Sequence, residues 1–264
     1  MNKYGSHQIG PELPGVEANQ RLTAIYARIV ADMKQVVRDF TITQDELHLA
    51  GDYLNRLGQA GFCRSLVDVA LAMTSVDVTA RVEGGTRPNL KGPFHKTTAP
   101  LRADGDLFDA PPPPGSPVLM LEGRLTDTAT GKPIAGAELD FWQADHEGHY
   151  DRAGHHLSGV VNTDADGNYR IRTAVPKDYS DHDHDPIGEL FRAMGRHNRR
   201  AAHIHLMVRV GGVQKLLTQL FIPGNPYLGS DYVEGAVSED LILDMTPTGN
   251  ANEFRARYDL AVAV

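Results

Sequence analysis

The chain has 264 residues, 41% hydrophobic and 23% charged, which is enough apolar material for one large or two modest globular domains. Its formal net charge of −8 argues against a general nucleic-acid-binding surface. The single cysteine, Cys63, excludes an internal disulfide and makes a cysteine-based zinc or iron–sulfur site implausible. The sequence has no long apolar run and no apolar signal segment at its N-terminus. We therefore expect a cytoplasmic protein with neither a nucleic-acid nor a membrane partner.

The first part of the chain has helical periodicity. Apolar residues recur every three or four positions from Leu22 to Phe40, which predicts an amphipathic helix. Thr43 and Glu46 have the spacing of a capping box before a second periodic segment, and a third, more apolar segment follows. These patterns predict that residues 18–80 are helical, within an N-terminal region that spans residues 1–84.

The composition changes at Gly84. Residues 85–117 are rich in Gly and Pro, including four consecutive prolines, and predict an extended linker. Short segments rich in β-forming residues follow, separated by turn sequences such as TGKP and DADG. This spacing predicts an antiparallel β-sandwich over residues 118–264, with one helical insert near residues 188–197. The predicted fold class is therefore mainly β, with an α-helical N-terminal part. The predicted strands are VLMLEGRLT, AELDFWQAD, NYRIRTAV, HIHLMVRV and KLLTQLFI.

His203 and His205 are the clearest candidates for chemistry. They occupy alternate positions of a strand-like segment, so both imidazoles face the same side and are able to bind one metal ion. Without further ligands, the pair also fits a strand edge that faces solvent and happens to carry two histidines. Further ligands would have to be oxygens, and Tyr150 and Tyr179 both follow predicted strands. Taken singly, each tyrosine also fits a half-buried residue with a solvated hydroxyl.

Several spaced motifs resemble the intradiol ring-cleavage dioxygenases, the group of catechol 1,2-dioxygenase and hydroxyquinol 1,2-dioxygenase. The run GRHNRRAAHIH, preceded by Tyr179 and DPIGEL, resembles the family's metal-binding region. The segment LEGRLTDTATGKPIAGAELDFWQADHEGHYD is similar to the family's first catalytic strand pair, which ends in a ligand tyrosine. LKGPFH and TQLFIPGNPYLGSD resemble two further segments of the family. The motifs occur in the family's order and cover about residues 60–245.

The resemblance implies a site with a resident iron(III). It implies that substrate displaces Tyr179 when it binds, and that Arg200 and Gln219 act in catalysis. The implied reaction cleaves a catechol, a substituted catechol or hydroxyquinol with O2 to a cis,cis-muconate-type product, in the catabolism of aromatic compounds. The four implied iron ligands are Tyr150, Tyr179, His203 and His205. The candidates for lining a substrate pocket, expected between the helical part and the sandwich, are Leu66, Val69, Pro93 and Phe94.

The implied ligand set has a consistent chemical logic. Phenolate is a hard anionic donor, so two phenolates favour a trivalent over a divalent ion, and two imidazoles suit iron. A ferric ion is a strong Lewis acid that binds both oxygens of a catechol. Arg200 offers a fixed fork of donors for developing negative charge, and its alternative role is a surface salt bridge with Asp183.

The helical region predicts self-association. The apolar stripe from Leu22 to Phe40 has few local partners in the sequence and needs burial. In the resembled family, the helical segments of two chains pack around a lipid-binding tunnel. We therefore expect a homodimer built on this helix, with a bound lipid at its interface.

The sequence departs from the family at two places and leaves two alternatives open. Ala201 stands where the family often has proline, and the His/Asp-rich loop at 180–185 is either a solvated loop or a weak second metal site. The first alternative is a non-catalytic transthyretin-like binding module, which explains residues 118–175 only. The second is a zinc hydrolase that adds Asp140 or Glu147 to the two histidines, although no motif supports either carboxylate.

Overall fold

The computed structural model describes residue 15 and residues 17–264; the remaining N-terminal residues of the predicted 1–84 region lie outside the described part. The chain forms two compact units, the first ending at Gln59 and the second spanning Ala60–Val264. Within the described residues, no helix combines the length and apolar character that crossing a membrane requires.

The first unit contains two helices, α1 (Gln20–Asp39) and α2 (Gln44–Gln59). The side chain of Asn19 caps α1 by accepting the Leu22 N–H at 2.9 Å. The predicted capping box forms at the start of α2, where the Thr43 N–H donates to the Glu46 carboxylate at 2.8 Å and the Glu46 N–H donates to the Thr43 hydroxyl at 3.3 Å. No residue of α1 is buried, so its predicted apolar stripe is exposed.

The second unit opens with a helical segment that contains an irregular turn. Helices α3 (Cys63–Val67) and α4 (Met73–Thr79) flank a π-helical turn at Asp68–Ala72. The carbonyl of Val69, within this turn, accepts the Glu234 N–H at 2.9 Å. The turn therefore lies where the helix meets the loop at residues 231–236. Apolar periodicity predicts a helix here but carries no signal for the wider turn.

The β-structure of the second unit consists of two sheets. The strands are β1 Val118–Asp127, β2 Glu138–Gln143, β3 Ser158–Asn162, β4 Asn168–Ala174, β5 His203–Val210, β6 Val213–Phe221, β7 Met245–Pro247, β8 Glu253–Arg257 and β9 Leu260–Val262. In the described residues, one sheet has the order β4-β1-β8-β7 with β9 also paired to β1, and the other has the order β3-β2-β5-β6. The second sheet is antiparallel throughout, whereas β1 pairs in parallel with β8 and β9, so the first sheet is mixed. The predicted fold class is confirmed, and helix α5 (Pro186–Ala193) is the predicted insert.

The two sheets pack face to face. The ring of Phe141 on β2 lies 6.0 Å from the ring of Tyr169 on β4. The side chain of Gln143 donates to the Ala174 carbonyl at 2.8 Å and accepts from the Thr173 hydroxyl at 2.9 Å. Every second residue of β1 is buried, whereas the first six residues of β5 are all buried. The four-stranded sheet is therefore covered on both faces.

The outer face of this sheet is covered by the segment that precedes β1. The Asn89 N–H donates to the Leu217 carbonyl at 2.7 Å, and the Thr218 hydroxyl donates to the Arg87 carbonyl at 2.7 Å. Further along, the Arg102 N–H donates to the Val160 carbonyl at 2.8 Å. The segment at 85–117 contains no regular helix or strand, and these bonds hold it across the sheet. The division at residues 84 and 117 stays a prediction.

Gly123 tests the parallel pairing within the mixed sheet. A Cβ at this position would lie 1.8 Å from the Tyr258 carbonyl oxygen. We expect Gly123→Ala to lower the free energy of unfolding by about 1–3 kcal/mol or more, because strand β1 would have to move away from the chain that follows β8. Gly229→Ala is the control, since nothing lies within 4 Å of its added Cβ. Equal denaturant midpoints for the two variants would contradict this account of the pairing.

Candidate metal centre

The centre of the candidate site is a row of side chains on the outer face of the four-stranded sheet. His203 and His205 on β5 point to this face and are each 1% exposed. Trp142 on β2 and Gln219 on β6 are the direct cross-strand neighbours of His205. The Trp142 and His205 rings stack with centroids 4.7 Å apart and planes 3° from parallel. The sheet register therefore fixes the plane of the second imidazole.

The two imidazoles direct the same ring nitrogen toward each other. Nδ1 of His203 donates to the Ala201 carbonyl at 2.6 Å, which leaves its Nε2 to face Nε2 of His205 at 3.1 Å. Burial lowers the pKa of both histidines well below 6.5, and the positive charge of Arg200 lowers both further. Both rings are therefore neutral at pH 7, with nitrogen lone pairs available to a shared cation.

Two tyrosines lie beside the histidine pair: Tyr179 is buried, and Tyr150 is half-buried with a buried hydroxyl. The rings of Tyr150 and Tyr179 meet edge to face at 5.3 Å, and they lie 6.5 Å from His205 and 5.7 Å from His203 respectively. Tyr179 forms an isolated antiparallel bridge with Arg200. The Tyr150 hydroxyl is buried and makes no hydrogen bond of good geometry among the described residues, although the Tyr179 hydroxyl lies close enough to affect its ionisation. A buried hydroxyl without a hydrogen bond destabilises the folded protein, so we expect the Tyr150 oxygen to bind another atom.

The environment holds both phenols protonated in the metal-free protein. Burial, and then the neighbouring Tyr179, raise the pKa of Tyr150 well above 10. Burial raises the pKa of Tyr179 to about 12, while the charge of Arg200 opposes the shift. Two phenols that are this hard to ionise need a strong local cation to become phenolates.

The donor set fits a hard, highly charged metal ion. In the described residues, no group of three or more His, Cys, Asp or Glu side chains is placed to hold a metal. Asp140 instead binds His95 at 2.9 Å and Arg209 at 3.3 Å, and the exposed Glu147 lies near His149. The zinc hydrolase alternative therefore lacks its carboxylate. The buried donors next to the histidine pair are the two phenol oxygens, a combination suited to a trivalent ion.

A buried arginine network borders the same cluster. Nε of Arg200 donates to both carboxylate oxygens of Asp231 at 2.9 and 3.1 Å, and one of its terminal nitrogens donates to the Gln219 amide oxygen at 2.7 Å. Gln219 in turn donates to the Leu90 carbonyl at 2.8 Å. Although burial disfavours the charged guanidinium, the carboxylate of Asp231 raises its pKa further above the usual range. Arg200 is thus permanently cationic, and its partner is Asp231 rather than Asp183.

The residues predicted to line the substrate pocket occupy different environments. Phe94 stacks on Tyr150 with ring centroids 4.2 Å apart and lies 6.3 Å from Tyr179. Val69 is buried, Leu66 is half-buried and Pro93 is exposed. The structure thus brings Phe94 to the tyrosines, and a pocket role for the other three stays a prediction.

Gly92 brings the same segment close to the histidines. Its φ of 66° lies in the left-handed region, and a Cβ there would be 3.4 Å from Nε2 of His205. Glycine therefore allows the chain to pass over the metal-binding face without a side chain in that space.

Two residues of the His/Asp-rich loop after Tyr179, His182 and Asp185, make contacts that stabilise the fold. His182 is buried, pairs with Asp185 at 2.5 Å and lies with its ring edge toward Phe62 and Tyr232. Asp185 also caps α5, by accepting the Ile187 N–H at 2.8 Å. His182 is therefore not part of a solvated loop. Among the described residues, His184 has no metal-binding partners.

Comparison with known proteins places the chain in a family. The model of the family described as Dioxygenase matches residues 90–263, and that of the Catechol dioxygenase N terminus matches residues 19–80. The chain is 38% identical over 253 residues to 6-chlorohydroxyquinol 1,2-dioxygenase of Cupriavidus pinatubonensis, covering 89% of this chain and 90% of that protein. It is 32% identical to catechol 1,2-dioxygenase 1 of Acinetobacter lwoffii, over 89% of this chain and 79% of that protein.

Comparison with solved structures identifies the same family. The crystal structure of 3-chlorocatechol 1,2-dioxygenase from Rhodococcus opacus 1CP matches with a TM-score of 0.86 at 26% identity, over 93% of this chain and 99% of that chain. The chain therefore belongs to the intradiol ring-cleavage dioxygenase family and is an oxidoreductase of the catechol 1,2-dioxygenase type. Membership of this family implies non-haem iron.

Gly148 tests how the two tyrosine segments approach each other. Its φ is 92°, and a Cβ there would lie 2.7 Å from the Asp178 carbonyl oxygen and 3.3 Å from Cβ of Tyr179. We expect Gly148→Ala to separate the Tyr150 and Tyr179 rings by several tenths of an ångström, because close-packed backbone has no room for the methyl group. A crystal structure of the metal-free variant measures this separation.

Gly195→Ala is the matched control, since its φ of 67° imposes similar backbone strain with nothing within 4 Å of the added Cβ. If both variants kept the wild-type ring separation, close backbone approach would not be what sets the tyrosine geometry.

Proposed function

We propose that the chain uses iron(III) and O2 to cleave the ring of a catechol between its two hydroxyl-bearing carbons, giving a cis,cis-muconate-type product. The observation that carries this proposal is the buried cluster of two neutral imidazoles and two phenols, found in a chain of this family. A binding module has no need for such a cluster. The place we assign to the reaction is the catabolism of aromatic compounds.

We assign the iron to Tyr150, Tyr179, His203 and His205. The Nε2 atoms of the two histidines converge within 3.1 Å, and the unpartnered Tyr150 hydroxyl gains a bonding partner when the metal is present. When bound, the ferric ion supplies Lewis-acid chemistry that holds the diol and makes it reactive toward oxygen. The two phenols lose their protons on metal binding, whereas the histidines, already neutral, release none.

Arg200 and Gln219 form the polar side of the proposed site. Of the five N–H groups of a guanidinium, Arg200 uses one on Asp231 and one on Gln219, which leaves three without a partner among the described residues. A buried cation with such donors stabilises negative charge that develops on the opening ring. Gln219 orients this cation, because it is bound at its own other end to the Leu90 carbonyl.

The substrate class is proposed from the relatives. Similar proteins are described as acting on catechol, hydroxyquinol, chlorocatechol and 6-chlorohydroxyquinol. We propose catechol or hydroxyquinol, substituted or not, with the ring packed against an apolar surface. The residues proposed for that surface are Leu66, Val69, Pro93 and Phe94.

We further propose a cytoplasmic homodimer formed through α1. Apolar residues of α1 and its C-cap are strongly exposed, including Leu22 at 62%, Met33 at 64% and the C-cap Phe40 at 77%. A continuous apolar stripe of this length in water calls for a partner surface. A second copy of the chain supplies an identical stripe, and a lipid chain between the two helices is the further ligand that we assign to this interface.

The assignment of the iron ligands predicts that a ligand variant loses iron, colour and turnover together. Purified wild-type protein should contain one iron per chain, absorb visible light and consume O2 with catechol, and a panel of substituted catechols with ultraviolet detection of products should define its substrate range. We expect His205→Ala to lower bound iron roughly tenfold or more, with colour and turnover lost together, because one of the convergent nitrogens is removed.

His149→Ala is the control, because its imidazole is 74% exposed although it neighbours Tyr150. Full iron content in His205→Ala would refute the ligand assignment. Wild-type protein that holds iron but opens no catechol would refute the proposed reaction.

The dimer predicts an effect of charge on α1. Ile29→Glu places a carboxylate in the apolar stripe, so we expect it to shift the protein from dimer to monomer at micromolar concentration in light scattering. Ala31→Glu, on the opposite face of the helix, should stay dimeric. A monomeric wild-type protein would rule out the dimer, and mass spectrometry of an organic extract tests for the lipid.

A further inference from the structure

One buried carboxylate connects two parts of the site described above. The side chain of Asp231 is 3% exposed and accepts four hydrogen bonds. Nε of Arg200 donates to both of its oxygens, the Ala201 N–H donates to Oδ2 at 2.8 Å, and the Val233 N–H donates to Oδ1 at 2.9 Å. No motif or periodic pattern selects this residue.

We propose that Asp231 is the positioning residue of the site, which fixes the Arg200 guanidinium and the His203 imidazole in one common arrangement. This inference rests on the proposed function, because it concerns the residues assigned there. Asp231 itself contacts neither the proposed ligand atoms nor the substrate surface.

The first link runs to the arginine. The carboxylate holds Nε on one side of the guanidinium and Gln219 holds a terminal nitrogen on another, so the plane of the group is fixed at two points. The three remaining N–H groups then have set directions. A guanidinium held only by Gln219 would rotate about that single bond and spread these directions.

The second link runs to the histidine. The Asp231 carboxylate accepts a hydrogen bond from the Ala201 N–H. The Ala201 carbonyl in turn accepts one from the Nδ1–H of His203 at 2.6 Å. This chain of hydrogen bonds places the proton of His203 on Nδ1 and leaves Nε2 for the metal. One carboxylate thus sets both the orientation of the cation and the direction of the first nitrogen ligand.

The type of side chain matters at this position. An aspartate has two acceptor oxygens for the donors of Arg200, Ala201 and Val233. An asparagine has one acceptor oxygen, and its NH2 group would confront at least one of these N–H donors. It would also leave the buried guanidinium without a counter-charge. A same-sized amide therefore breaks the arrangement without removing volume.

The ion pair of Arg200 and Asp231 is more deeply buried than the ion pair of Arg172 and Asp106. Its side chains are 6% and 3% exposed, whereas those of the pair between Arg172 and Asp106 on the other sheet are 36% and 35% exposed. Asp106 otherwise matches Asp231, since it binds an arginine at 2.9 Å and accepts the N–H of the residue two positions ahead. Asp106→Asn is therefore a matched control for Asp231→Asn.

The experiment compares Asp231→Asn, Asp231→Glu and Asp106→Asn in the full chain. In metal-free protein, nitrogen-edited NMR of the Arg200 Nε–H, assigned by its loss in Arg200→Lys, reports the pairing without any turnover. In iron-loaded protein, kcat per bound iron and the catechol-induced spectral shift separate chemistry from binding. Asp231→Glu keeps the negative charge and is the variant of choice if Asp231→Asn does not fold.

We expect solvent exchange of the Arg200 Nε–H to rise at least about tenfold in Asp231→Asn and to stay unchanged in Asp106→Asn. We expect kcat per iron to fall about tenfold or more in Asp231→Asn and to fall measurably in Asp231→Glu, while catechol affinity changes less than about threefold. Combining Asp231→Asn with Arg200→Lys should cost less than the product of the two separate losses, because both changes share the guanidinium, and any loss beyond that of Arg200→Lys alone measures the link to His203.

Unchanged exchange of the Nε–H, or kcat per iron within about twofold of wild type in both Asp231 variants, would overturn the proposal. Additive losses in the double variant would do the same. A wild-type protein that opens no catechol would instead contradict the proposed function, and the NMR comparison would still decide whether Asp231 fixes Arg200.

Discussion

Two neutral imidazoles with their Nε2 atoms 3.1 Å apart are the constraint on which the rest of the site depends. Burial keeps both rings uncharged, and the Ala201 carbonyl directs the lone pair of His203 toward His205. In the metal-free protein, a neutral His205 with its proton on Nε2 would donate to the Nε2 lone pair of His203, so the pair forms one N–H···N hydrogen bond. A metal ion in the place of that proton would accept the lone pairs of both rings. The two phenols also need a cation, because burial disfavours their ionised forms unless a strong positive charge lies beside them.

The face of the four-stranded sheet that carries His203 and His205 excludes water only if distant parts of the chain cover it. Segment 87–95 crosses the outer face of the sheet through the backbone of Asn89 and Leu90, and Gly92 lets it pass close to His205. Loop 231–236 closes the other side, by joining the Arg200 network to the carbonyl of Val69 in the π-helical turn. The site is therefore assembled from segments more than a hundred residues apart in sequence. Its geometry depends on backbone contacts as much as on the residues assigned to the metal.

Sequence reasoning reached the parts of this site that local periodicity encodes. Alternation along β5 places His203 and His205 on one face, and helical spacing predicts α1 and the start of α2. The ends of predicted strands made Tyr150 and Tyr179 candidates, but their assignment as ligands came from the resemblance, because each lies in a loop whose path no periodicity describes. Asp231 and the His95–Asp140 pair were missed because their partners are set by long-range packing. Strands β8 and β9 were missed for the same reason, since each pairs in parallel with β1, which is distant in sequence.

The two tyrosines are held unequally, which supports the expectation that substrate displaces Tyr179 and not Tyr150 from the proposed metal site. Tyr150 lies between two turns in which carboxylates accept backbone N–H groups: Asp145 those of residues 147 and 149, and Asp151 those of residues 153, 154 and 156. Tyr179 is held by a two-bond bridge to Arg200, in which one bond of 2.8 Å is paired with a longer one of 3.4 Å. Its following loop is held at Asp183, whose carbonyl accepts from Arg192, and at His182 and Asp185. Moving Tyr150 would break a set of short hydrogen bonds, whereas Tyr179 swings on one short and one long bond. The backbone therefore favours Tyr150 as the fixed phenolate and Tyr179 as the exchangeable one.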